Sequence, residues 1–174
     1  DSLTFAMRLY ADSAYSPQHD KYIEILYTIY GNDYMIKMQL CFVGLQDLLS
    51  ENNNIDLDWK MNLRPQEKTI KNEKMASTVY YKFLDDDVDY LSEEKDKKEE
   101  LKTKVSWIGF KQQFFTSVLI ADRGFTDATV STISTDTSTK TVKTCYAQIT
   151  LPFEPGPKQS FPMRMYFGPT HFKT

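Results

Sequence analysis

A chain of 174 residues, 41% hydrophobic and 14% aromatic, carries enough apolar surface to fold as one domain, which excludes intrinsic disorder. A formal net charge of −3 shows no concentrated basic patch and argues against nucleic acid, whose phosphates need one. No apolar run reaches the roughly 20 residues of a membrane-crossing helix, no signal-peptide pattern is present, and a start at Asp1 without methionine reads as an internal fragment.

Strict alternation begins at once. Leu3, Phe5, Met7, Leu9 and Ala11 point one way and Thr4, Ala6, Arg8 and Tyr10 the other, the period of a strand with one buried and one wet face. Gly31-Asn32-Asp33 lies between apolar runs and predicts a hairpin turn in which Gly and Asn supply positive φ. Alternation resumes at Ile36, Met38, Leu40 and Phe42, pauses in the polar loop Ser50 to Asn54, and returns at Ile55, Leu57, Trp59, Met61 and Leu63. Arg64 to Met75 is charged and lacks alternation, and Pro65 suits a helix start, so a short exposed helix is predicted there.

Val79, Tyr81 and Phe83 restore the strand period. Asp85 to Glu100 mixes acidic residues with lysines and reads as a solvated loop or frayed helix. Val105 to Ala121 is apolar on both faces and rich in aromatic and β-branched residues, which predicts two central strands buried on both sides. The Ser/Thr tract from Ser131 to Thr144 reads as a solvent-facing hairpin. Two last strands follow, through Cys145, Ala147, Ile149 and Leu151 and through Phe161, Met163, Met165 and Phe167, separated by the turn Glu154 to Pro157. Many strands joined by short polar turns predict an all-β antiparallel sandwich or barrel spanning residues 1–174 as a single domain.

Candidate chemistry is sparse. His19 and His171 are the two histidines, and neither stands near a serine or cysteine nucleophile in a recognisable motif. Asp85, Asp87 and Asp89 open like a calcium loop, but its sixth and twelfth positions hold Tyr90 and Asp96 where glycine and a bidentate glutamate are needed. Cys41 and Cys145 both sit in predicted strands and read as free, buried thiols, a bridge requiring that those strands be neighbours. Trp59 and Trp107 could stack on sugars, yet both occupy the apolar phase of their strands, which favours the core. No zinc spacing or phosphate-cradling glycine loop occurs, and paired carboxylates for glycosidic chemistry stay open because partners would come from different strands. No catalytic, cofactor or metal residue is therefore assigned.

Ser106-Trp107-Ile108-Gly109-Phe110-Lys111-Gln112-Gln113-Phe114-Phe115, continuing into Thr116 to Ile120, resembles the YidC family of bacterial membrane protein insertases. There a tryptophan strand followed by Gln-Gln and aromatics is a landmark of the periplasmic domain. Met165-Tyr166-Phe167-Gly168-Pro169 is similar to the family's strand ending in aromatic-x-Gly-Pro, while Tyr80 to Phe83 and the residues around Gly31 to Tyr34 match more loosely.

The resemblance implies an antiparallel two-sheet β-supersandwich with one or two short helices, shared with sugar mutarotases and carbohydrate-binding modules. It also implies a fragment that lacks the domain's first strands and the membrane helices, and a place on the periplasmic side of the inner membrane. No insertase residue carries over, since the family's polar groove lies among its membrane helices. The landmarks Trp107, Gln112, Gln113, Phe114, Phe115, Phe167, Gly168 and Pro169 carry structural roles, with Trp107, Phe114 and Phe115 as core and the two glutamines hydrogen-bonding beside it. Implied partners are accessory subunits of the Sec translocon and nascent membrane proteins, with no cofactor. The alternative is a carbohydrate-binding or carbohydrate-active module on the same sandwich, which would need an acid and a base facing each other across a concave sheet.

Overall fold

A computed structural model describes residues 1–11, 20–51, 53–134 and 140–170. In chain order the strands are β1 (Ser2–Tyr10), β2 (Tyr22–Tyr30), β3 (Met35–Val43) and β4 (Asn54–Leu63), then helix α1 (Ile70–Ala76). There follow β5 (Thr78–Phe83), β6 (Val88–Tyr90), β7 (Lys98–Leu101), β8 (Val105–Lys111) and β9 (Phe115–Phe125). The last three are β10 (Asp127–Ser134), β11 (Lys143–Pro152) and β12 (Lys158–Pro169). The chain is all-β with antiparallel sheets and one short helix, as the alternation required. It divides into two compact units, one of Asp1–Ile55 with Pro152–Met165 and one of Asp56–Leu151 with Tyr166–Thr174.

In the first unit the sheet runs β1-β2-β3 and then the leading part of β12. Register sets Phe5 opposite Tyr27 and Leu9 opposite Ile23, and on the far side of β2 sets Ile25 opposite Leu40. The apolar residues of the three strands therefore share one face. Burial along that face fades toward the edge: Phe42 is 4% exposed, whereas Leu9 is 70% exposed. All nine residues of β1 are exposed, contrary to the buried face expected for Leu3 to Leu9. Alternation fixes which side chains share a face, but burial needs a second layer, and β1 is an edge strand without one among the described residues.

Phe42 anchors the covered end, meeting Phe153 and Phe161 edge-on with ring centroids 5.4 and 6.0 Å apart. The β2–β3 turn forms without positive φ at Gly31 or Asn32, because the Asp33 side chain accepts the Met35 N–H at 2.9 Å and closes the turn locally. Left-handed backbone occurs instead at Gly44, where a Cβ would stand 2.5 Å from the Asp20 carbonyl oxygen.

The second unit is a sandwich. One sheet runs from the end of β12 through β9, β8 and β5 to β6, and the other is ordered β4-β11-β10-β7. Val105 to Ala121 forms two strands as predicted, with Ile108 opposite Leu119 and Phe110 opposite Ser117. However, β9 buries one face only, its other face being half-buried or exposed, contrary to the expected burial on both sides. A register shift between Val105 and Trp107 accompanies positive φ at Gly124. Trp59 of β4 stacks on Phe110 of β8 at 3.9 Å, joining the two sheets, so that ring is committed to packing. The wet face of β4 pairs with β11 through Asp58 with Tyr146 and Asn62 with Thr144, at 2.6 and 2.9 Å.

Three local expectations change. The helix begins at Ile70 and not near Pro65, because the Glu73 carboxylate accepts the N–H groups of Gln66 and Glu67 and holds the preceding residues as a loop. Asp85 to Glu100 contributes the short strands β6 and β7, paired through Tyr81 with Asp89 and through Val130 with Glu99. The Ser131 to Thr144 segment pairs as the expected antiparallel hairpin, with Ile133 opposite Thr144, but one of its faces is turned inward, since Thr132, Val142 and Lys143 are buried; residues 135–139 lie outside the described residues.

Candidate functional site

The turn between β8 and β9 holds four of the landmark residues. Gln112 donates its backbone N–H to the Phe115 carbonyl at 2.8 Å and closes the turn. Gln112 and Gln113 are half-buried, as is Trp107 in β8. Phe114 and Phe115 are 47% and 53% exposed, which overturns their expected place in the core. They follow the last inward position of β8, and the turn carries them clear of the sandwich.

The second landmark comes to the same place. Phe167 is exposed, Gly168 buried and Pro169 half-buried at the end of β12, where the Tyr166 hydroxyl donates to the Pro169 carbonyl at 2.9 Å. The next residue, Thr170, donates its N–H to the Phe114 carbonyl at 2.8 Å and shares a 2.7 Å hydroxyl contact with Thr116. Two motifs far apart in sequence are thus bonded into one corner of the second unit.

Beside that corner lies a pocket of about 250 Å³, open solvent included, lined by Leu63, Arg64, Gln66, Glu73, Ser77, Val142 and the turn from Gln112 to Phe115. Its enclosed part has room for one water at most. Glu73 is 4% exposed; its Oε1 accepts from Gln66 at 2.6 Å and Glu67 at 3.0 Å. No donor among the described residues reaches Glu73 Oε2 or Gln113 Oε1.

Lys143 supports the pocket from behind. It is 1% exposed, and its ammonium donates to the carbonyls of Ser77 at 2.6 Å and Glu93 at 3.1 Å. Ser77 in turn donates its hydroxyl to the Glu73 carbonyl at 2.6 Å. Burial pulls the Lys143 ammonium below its ordinary value of 10.5. Sequence reasoning missed both Glu73 and Lys143. Counting back by two from Cys145 places residue 143 on the inner face of β11, and that signal was readable; nothing comparable marked Glu73.

The remaining candidates disperse. Tyr81 donates its buried hydroxyl to Glu99 at 3.0 Å, and burial, with that carboxylate and Asp89, drives its pKa upward. Asp89 accepts from the Tyr90 N–H, and Asp96 turns both oxygens to the Ser134 N–H, so these two carboxylates of the calcium-like segment meet backbone donors. Cys41 and Cys145 are free and buried, and burial pushes Cys145 up to about 12. His19 and His171 lie outside the described residues.

Residues 13–174 match the family described as the YidC periplasmic domain. A membrane protein insertase YidC of Bacteroides fragilis is 35% identical over 169 residues, covering 97% of this chain and 26% of the relative. That of Phocaeicola vulgatus is 34% identical over 98% of this chain and 27% of its own length, and that of Porphyromonas gingivalis 32% over 95% and 26%. Among solved structures, a galactose mutarotase related enzyme of Lactobacillus acidophilus aligns over 95% of this chain and 67% of its own, at 11% identity and a TM-score of 0.42. The chain spans about a quarter of the length of its curated relatives, and it belongs to the YidC periplasmic domain family.

Proposed function

We propose that these residues act as one non-catalytic module on the periplasmic side of the inner membrane, within a membrane protein insertase that assists insertion and folding with the Sec translocon. The observation that carries this reading is the family match over residues 13–174. Translocon accessory subunits and nascent membrane proteins are the partners this reading calls for. The exposed aromatics Phe114 and Phe115, held on a hydrogen-bonded turn, offer a rigid contact of the kind that anchors a small interface. Among the described residues no helix is long and apolar enough to cross a membrane.

The test places a photocrosslinking amino acid at position 115 in the full-length protein and irradiates native membranes. Adducts with translocon subunits or nascent chains support the partner assignment. Adducts with neither, from position 115 and equally from position 114, overturn it.

A further inference from the structure

The charged segment 64–75 and the phenylalanine corner of the second unit lie side by side. Arg64, which is exposed, lines the same pocket as Phe114 and Phe115. The Glu73 carboxylate accepts the Glu67 N–H at 3.0 Å, and this holds the exposed Lys68 next to that pocket. Phe167 adds a third exposed ring to the corner where the Thr170 N–H reaches the Phe114 carbonyl at 2.8 Å. Ile70, one helical turn before Glu73, is exposed as well.

Charge at this surface runs against that of the whole chain. Arg64, Lys68, Lys71 and Lys74 outnumber Glu67 and the buried Glu73 in segment 64–75, whereas the chain carries a net −3. Val142 donates its N–H to the Leu63 carbonyl at 2.8 Å and brings the exposed Lys140 to the same end. Large rings left in water beside cations match the two-part chemistry of an anionic bilayer surface, with acyl chains beneath phosphates. Near such a surface each cation strengthens binding about fivefold, and the rings supply apolar burial that charge alone does not.

We infer that this corner rests on the membrane, with Phe114, Phe115 and Phe167 among the upper acyl-chain carbons and Arg64 and Lys68 against anionic lipid phosphates. The inference rests on the membrane-side placement proposed above and not on the translocon partners. Crosslinks from position 115 to membrane-embedded proteins are compatible with it, because those proteins share the same interfacial layer.

The experiment reconstitutes the full-length protein, with a fluorescent amino acid at position 115, into vesicles of phosphatidylethanolamine and phosphatidylglycerol. Lipids brominated on the upper acyl carbons serve as quencher. Position 84 is the reference, since Leu84 is also exposed but its N–H bonds the Lys104 carbonyl at 2.8 Å, at the opposite end of β8. Quenching is expected at position 115 and not at position 84. Arg64→Gln combined with Lys68→Gln should shift the contact equilibrium about twentyfold toward the unquenched state. Replacing phosphatidylglycerol by phosphatidylcholine should act in the same sense. Equal quenching at the two positions, or quenching indifferent both to the double variant and to phosphatidylglycerol, overturns the inference. So does a position 115 shielded from brominated lipid and aqueous iodide alike, which would show a protein cover. Failure of the parent protein to float with the vesicles would instead overturn the membrane placement on which the inference rests.

Discussion

Lys143 and Cys145 stand two residues apart on the inner face of β11, and burial moves them in opposite senses on the stability scale. Cys145 rises from 9.0 to about 12, so between these values the unfolded chain loses a proton that the folded chain keeps. Its contribution is fully present below 9.0 and is lost as pH rises toward about 12, with a limiting slope of about 1.4 kcal/mol per pH unit. Lys143, lowered from 10.5, contributes stability that is full above 10.5 and lost as pH falls through its lowered value. In urea titrations on either side of the ordinary thiol value, Cys145→Ala should therefore lose less stability with rising pH than the parent chain, and the difference between the two isolates the thiol. Gly44→Ala should cost about 1–3 kcal/mol in the same assay, because its φ of +66° and the Asp20 carbonyl both oppose a Cβ.

Among the elements, the β8–β9 hairpin separates residues that look alike in sequence. Phe110 is fully buried and stacked on Trp59, whereas Phe114 and Phe115 stand outside the sandwich. Phe110→Ala should cost about 3–5 kcal/mol, while the double change Phe114→Ala, Phe115→Ala should stay within about 0.5–1 kcal/mol. Denaturation midpoints would check both, and a large loss from the double change would return those rings to the core. In β5, Tyr81→Phe removes the hydroxyl that reaches Glu99 of β7 across the sandwich and should cost about 1–2 kcal/mol.

At the scale of the molecule, the first unit leaves Leu3, Phe5, Met7 and Leu9 on an exposed edge strand. Such a face with unpaired backbone beside it is a site of association. The 174-residue chain by itself should bind an apolar dye and self-associate with rising concentration. Leu3→Lys together with Leu9→Lys should suppress both without loss of the far-ultraviolet β signal. Sedimentation velocity distinguishes this from unfolding, and an unchanged association state would show that the edge is inert.

Local pattern was enough to define most strands, as in β4, where Ile55 to Leu63 alternate in burial residue by residue, and in β11 from Cys145 to Leu151. Period two is a property of the backbone, so it survives in the bare sequence, and the two motifs that carried the family resemblance are likewise short and contiguous. Whether a face is covered, and which aromatic of a run turns inward, depends on what the chain brings up from elsewhere. That is why β1 was expected buried and why Phe114 and Phe115 were expected inside. Glu73 went unnoticed because Gln66 and Glu67, which its carboxylate receives, meet it only in the folded chain, whereas the inward phase of Lys143 was legible and only its carbonyl partners on Ser77 and Glu93 were not.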